Sequence, residues 1–213
     1  MLIEPHGGKL VNKVIAGRKK DELMTKAEGL PKISLSRRDL VEVQNIAIGL
    51  YSPLKGFMSK RDYVRVVEEM KLANGLPWTI PIVLGVSPDK ADELTVGKDV
   101  ALTSESGEVY AVLHLKEKYS YEQEKEAKLV YKTREPDHPG VRNVYQRGEV
   151  LLGGPISLLR RIKYDNFNQY RLDPREVRGL IKERGWEEVV GFQTRNPIHR
   201  AHEYIQKCAL EIC

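Results

Sequence analysis

Cysteine is scarce: Cys208 and Cys213 are the two among 213 residues. Two cysteines make neither a disulfide framework nor a metal-ligand set, and at this spacing on a helix they point in different directions. Reduced, partly buried thiols are expected. Long apolar runs are missing too. The longest uncharged run, Leu72 to Pro88, holds three prolines, two glycines and Asn74, which is too short and too broken to cross about 30 Å of hydrocarbon. No membrane-spanning helix is expected. The N-terminus meets Glu4 with no basic-then-apolar stretch before it, so no secretory leader is expected and a cytoplasmic setting is. Blocks of five or six like charges are absent, although Lys and Arg outnumber Asp and Glu by 35 to 30, a formal charge of +5. Interleaved signs describe a solvated mixed surface rather than a nucleic-acid face. Aromatics make up 7% of the chain, and no cluster of them alternates with basic residues as base-stacking modules require. What is plentiful is apolar content, 41% of residues, enough for a packed core in one large domain or two small ones.

Three regions differ in period. In the first, Ser36 and Asp39 form a capping-box-like start, followed by Leu40, Val43 and Ala47 at helical spacing up to Gly49. Ser59 and Asp62 repeat the signal, and Tyr63, Val66, Val67 and Met70 make the stripe of a second amphipathic helix. The second region alternates with period two. Thr79 to Val86 is β-branched and apolar, and Val100 to Thr103 and Glu108 to Leu115 flank the turn Ser104-Glu-Ser-Gly107. Tyr121 to Tyr131 is helix-prone until Asp137-His-Pro-Gly140 stops it, and Glu149 to Leu152 and Ile156 to Leu159 read as two strands around Gly153-Gly-Pro155. A small barrel with peripheral helices is expected over about residues 1 to 165. In the third region Asp173 caps, Pro174 takes the first helical position, Glu176 completes the box, and Val177, Leu180 and Ile181 form the stripe before Gly185. Glu188 to Phe192 reads as a strand, Gln193 to Asn196 as a connection, and Pro197 as the start of a helix carrying Ile198, Ala201, Ile205, Cys208 and Ile212. That is the beginning of an α/β unit, and a parallel sheet needs several.

Gln193-Thr-Arg-Asn-Pro-Ile-His-Arg-Ala-His202 lies where open α/β sheets bind ligands, beyond the carboxyl end of a strand and at a helix start. Free N–H groups and the helix dipole there attract an anion, and Arg195 adds a planar fork suited to phosphate or sulfate. His199 and His202, three apart, share a face and could donate to a polyphosphate. Each feature also has a plain structural reading. Asn196 and Pro197 suit helix initiation alone, and His199, His202 and Glu203 are too few for a closed zinc site, so no metal-ligating residue is expected. The coincidence of Gln, Thr, Arg, Asn and two His within ten residues favours nucleotide phosphate binding.

The run Gln193 to Glu203 resembles the signature of the ATP sulfurylase (sulfate adenylyltransferase) family. Tyr51-Ser-Pro-Leu-Lys-Gly-Phe-Met58, Trp78-Thr-Ile-Pro-Ile82, His138-Pro-Gly-Val141 and Gly185-Trp186 are also similar to the N-terminal half of that family. The resemblance implies an α+β then α/β chain: a PUA-like β-rich domain over residues 1 to 168, then the incomplete beginning of a Rossmann-like nucleotidyltransferase domain over 169 to 213. That domain is of the HxGH class, written here His199-Arg-Ala-His202. The implied reaction is attack of sulfate on the α-phosphorus of ATP, with Mg²⁺ accompanying ATP, to give adenosine 5′-phosphosulfate and pyrophosphate. Carried onto these positions, Gln193 and Arg195 bind sulfate, Thr194 and Asn196 contact ATP phosphates, and His199 and His202 stabilise charge on the α-phosphoryl oxygens and the leaving group. Thr194, Arg195, Asn196, His199 and His202 are thus the implied catalytic set. The implied partners are ATP and sulfate and, at full length, further copies of the chain, with no membrane and no nucleic acid; for these 213 residues alone little or no activity is expected. The alternative is a PUA-like RNA-binding module without enzymatic activity.

Overall fold

A computed structural model describes residues 2–212. Among them are seven strands, which all lie between residues 32 and 158. The helix α1 (Gly17–Glu28) leads into β1 (Lys32–Leu35), α2 (Arg37–Ile48), β2 (Gly56–Phe57) and α3 (Lys60–Glu69). There follow β3 (Leu84–Val86), α4 (Pro88–Asp92), β4 (Asp99–Ser104), β5 (Val109–His114) and β6 (Glu117–Ser120). The helix α5 (Gln123–Glu126) widens into a π turn (Ala127–Tyr131), and α6 (Pro139–Gln146) precedes β7 (Val150–Leu158). Two more helices, α7 (Pro174–Glu183) and α8 (Arg200–Ile212), complete the described chain.

The sheet turns on β7. Its first half, residues 150–153, pairs with β3 and β6, and its second half, 154–158, pairs with β2 and β5. The two expected strands around Gly153-Gly-Pro155 are therefore one strand whose neighbours change at the glycines. Glycine is required there: a Cβ on Gly154 would sit 2.2 Å from the His114 carbonyl oxygen, closer than any side chain tolerates. From β5 the sheet continues antiparallel to β4 and then parallel to β1.

Alternation along these strands feeds three apolar clusters. Leu102, Leu113, Leu152, Ile156 and Leu158 pack against α2 through Val43, Ile46 and Ala47. Tyr63, Val66 and Val67 of α3 meet Leu151 and Tyr119. Ala101, Val112 and Leu159 meet Ala27 of α1 on the opposite face. The capping signals hold: Ser36 accepts the Asp39 N–H at 3.2 Å and Ser59 that of Asp62 at 3.1 Å, while Gly49 ends α2 in the left-handed region at φ 87°. Met70, expected in the stripe of α3, instead ends that helix and is exposed. Asp137-His-Pro-Gly140 starts a helix rather than stopping one, because Pro139 takes the first position and His138 Nδ1 accepts the Gly140 N–H at 3.1 Å. Of the strand expected over Thr79 to Val86, the last three residues pair; Pro81 and the Trp78 indole, bonded to the Ile80 carbonyl at 2.8 Å, shape the rest as loop.

No helix among the described residues is long and apolar enough to cross a membrane. Cys208 is a half-buried free thiol; Cys213 lies outside the described residues.

Candidate functional site

The approach to the site is α7. Arg161 grips Asp173 with both guanidinium nitrogens, Nη1 at 2.9 Å, and Glu176 accepts the Asp173 N–H at 2.6 Å. The helix start expected from Asp-Pro-x-Glu is thus tied to the β-rich body by one ion pair. Beyond Gly185 the chain is irregular as far as His199. Glu188 to Phe192, expected as a strand, forms none. A parallel strand needs a neighbour to take its N–H and C=O groups, and all the described strands belong to the other sheet. Val189, Val190 and Phe192 consequently face solvent.

The six site residues lie together on this stretch, within the ten-residue run Gln193 to His202. Gln193, Arg195 and Asn196 are exposed and Thr194 half-buried. Thr194 closes a small turn: its Oγ1 accepts the Asn196 N–H and donates to the Asn196 carbonyl, both at 3.1 Å. Arg195 has no ion-pair partner among the described residues, so its fork is free for an incoming anion.

The helix begins later than Asn196-Pro197 suggests, at Arg200, and the two histidines start it. His199 Nδ1 accepts the Ala201 N–H and His202 Nδ1 accepts the His199 N–H, both at 3.3 Å. This is the reciprocal logic of a capping box, carried out by imidazoles. The rings lie 3.9 Å apart between centroids, and Phe192 meets His202 edge-on at 5.9 Å. Since each Nδ1 uses its lone pair, each neutral ring carries its proton on Nε2. The arrangement offers two N–H donors beside the free end of a helix, which suits phosphate oxygens. Among the described residues no group of three or more His, Cys, Asp or Glu is placed to hold a metal ion, and Glu203 is paired with Lys207 at 2.7 Å.

Cavity and chemistry lie in different places. A cleft of about 1070 Å³ opens between α2 and α7, lined by Asn45, Leu50, Arg161, Tyr164, Val177 and Arg178 among others, and no residue from 193 to 202 lines it. Beside it the structure gathers a group that sequence reading missed. The guanidiniums of Arg171 and Arg37 stand 3.9 and 5.9 Å from the Tyr164 ring centre, and Phe167 and Tyr170, between Tyr164 and Arg171 in sequence, are exposed. The signal was present as Arg160-Arg-x-Lys-Tyr164 and Tyr170-Arg171, but Arg37 joins only through the fold.

Comparison with known proteins assigns each region a family profile. Residues 3–161 match the family profile of the PUA-like domain, and residues 168–213 match that of ATP-sulfurylase. A sulfate adenylyltransferase of Halothermothrix orenii is 61% identical over 211 residues, covering 99% of this chain and 55% of the relative. The chain belongs to the PUA-like domain family, and nearly its whole length is homologous to sulfate adenylyltransferases. Another member, from Acaryochloris marina, is 51% identical over 209 residues, covering 98% of the chain and 54% of the relative. The chain therefore spans about half the length of these sulfate adenylyltransferases. Among solved structures, one titled a hexameric APS kinase from Thiobacillus denitrificans superposes with a TM-score of 0.78 at 28% identity, over all of this chain and 38% of that one.

Proposed function

We propose that the chain supplies the PUA-like domain, residues 1–168, and one wall of the catalytic site, within 169–213, of an enzyme converting MgATP and sulfate to adenosine 5′-phosphosulfate and pyrophosphate. The observation that carries this reading is the reciprocal anchoring of His199 and His202, which leaves two Nε2–H donors and the unpaired Arg195 on one exposed stretch. In the reaction a sulfate oxygen attacks the α-phosphorus, the bond to the bridging oxygen breaks, and pyrophosphate leaves with the electron pair. The chief obstacle is the approach of two anions. Gln193 and Arg195 hold sulfate and offset that repulsion. Thr194 and Asn196 meet ATP phosphates, and the two imidazole N–H groups stabilise charge developing on the α-phosphoryl oxygens and the leaving group. Mg²⁺ would come with the nucleotide as part of the substrate and would offset charge on its phosphates, no residue of this stretch being assigned to hold it. Residues 188–192 become the first strand of a Rossmann-like sheet when neighbours from the remaining length of the relatives are present. Assembly into a homo-oligomer and a cytoplasmic setting belong to the same reading.

The test is Arg195→Ala in a protein completed to the length of the relatives, followed by pyrophosphate release with MgATP and sulfate. Loss of a charge-assisted contact in the transition state should cost on the order of 3 kcal/mol or more, about a hundredfold in rate, with an unchanged thermal midpoint. Near wild-type release from the variant overturns the assignment of Arg195, and robust release from residues 1–213 alone overturns the reading that this chain supplies only one wall of the site. A second reading, RNA binding through the PUA-like domain, is favoured by the cluster of Arg37, Tyr164 and Arg171. A salt-sensitive mobility shift with single-stranded RNA, abolished by Tyr164→Ala and unaffected by ATP or sulfate, would select it.

A further inference from the structure

A second constellation lies on the sheet face covered by α1, independent of the site at Gln193 to His202. Asp99 of β4 is directly opposite His114 of β5, and Ser157 of β7 is opposite Val112. Because side chains alternate along a strand, Asp99, His114 and Ser157 share the face that carries Ala101, Val112 and Leu159 against α1. They touch in series. His114 Nδ1 is 2.7 Å from Asp99 Oδ1, His114 Nε2 is 2.9 Å from Ser157 Oγ, and Lys26 of α1 donates to Asp99 Oδ2 at 2.6 Å. An ionised Asp99 can only accept, so Nδ1 carries the ring proton and Nε2 presents its lone pair to the Ser157 hydroxyl. This is the relation of roles that activates serine in acyl transfer, which is recognised by geometry rather than by sequence position. The ring is reachable, with 31% of the His114 side chain exposed against 18% for Asp99, and Ser157 is half-buried.

We propose that Ser157 is an activated nucleophile, a site for acylation or phosphonylation by small activated electrophiles, with His114 as its base and Asp99 as positioning residue. With a fluorophosphonate, Ser157 Oγ attacks phosphorus, the P–F bond breaks, fluoride leaves, and the hydroxyl proton passes to His114 Nε2. Asp99 stabilises the imidazolium so formed. The next N–H along the strand, that of Leu158, is committed to the Lys13 carbonyl at 2.8 Å and offers no help to a developing oxyanion. The adduct should therefore accumulate rather than turn over.

The experiment treats the folded chain with a small alkyl fluorophosphonate and maps adducts by intact and peptide mass. One adduct is expected, at Ser157, absent from Ser157→Ala and formed about a hundredfold more slowly in His114→Gln, with slower labelling in Asp99→Asn as well. Wild-type chain unfolded in urea, which needs no variant to fold, should lose the preference for Ser157. An unlabelled folded chain, labelling spread over several serines, or undiminished labelling in a folded His114→Gln variant would each refute the proposal.

Discussion

The β-rich body and the stretch from Asp173 onward are written in the same helical grammar, yet among the described residues only the body has fully buried side chains. In the body, α2 and α3 each follow a serine cap and present an apolar stripe, and those stripes are covered by β7 and its neighbours. In the later stretch, α7 and α8 have caps and stripes as good, and among the described residues neither helix buries a side chain. Among the described residues the last buried one along the chain is Ile162. Periodicity and capping therefore suffice to form a helix, whereas burial depends on partners that the pattern cannot provide.

The largest contrast should appear in limited proteolysis. Segments without buried contacts open at almost no cost, while the core opens only with global unfolding, so cleavage after Asp173 should precede cleavage in residues 1–162 by orders of magnitude in rate. Early cuts within the body would erase the distinction. Next in size is Arg147→Ala. Glu126 is 1% exposed and is held by Arg147 Nη1 at 2.9 and 3.0 Å and by the Tyr63 hydroxyl at 2.9 Å. Burial works against the charge on Arg147, but Glu126 outweighs it and raises the arginine above its usual value. Burial, with Glu126 beside it, likewise pushes Tyr63 far up, so its hydroxyl remains a donor. Removing the arginine leaves a buried carboxylate uncompensated and should cost about 3–5 kcal/mol, read as a lower urea midpoint for the body.

A matched pair sharpens the comparison. Leu113 is fully buried and Leu210 is 76% exposed. Leu113→Ala should cost about 2–5 kcal/mol and Leu210→Ala less than about 0.5 kcal/mol, both by chemical denaturation. Equal costs would show that α8 is packed as tightly as the sheet. The smallest effect concerns acid. Burial alone would raise the Asp99 carboxyl, but Lys26 and His114 outweigh it and hold it below its ordinary value. A lowered carboxyl contributes stability that is present above the unfolded value, about 3.9, and lost as pH falls through the folded one. Between pH 5 and pH 2, then, the midpoint of the wild-type chain should fall more than that of Asp99→Asn.

Helix starts were legible because a cap is a local event among three or four residues: Ser36, Ser59 and Asp173 all open helices where their neighbours indicate. The hairpin of β4 and β5 was legible for the same reason, through Ser104 to Gly107. Other elements were hidden. The helix α1 is mostly polar, burying Ala27 alone, and β6 is four residues with two charges; neither carries a periodic signal, and both take their form from the sheet they join.

The sequence by itself determined which residues are polar and adjacent at Gln193 to His202, where most helices begin, and which faces are apolar, since these depend on contacts within one or two turns. Tertiary structure decided the rest. It made one strand of two through the approach of β7 to His114, it joined Asp99, His114 and Ser157 across three strands, and it brought Arg37 to Tyr164. It also left Glu188 to Phe192 unpaired, because a strand exists only where another backbone stands ready to complete its hydrogen bonds.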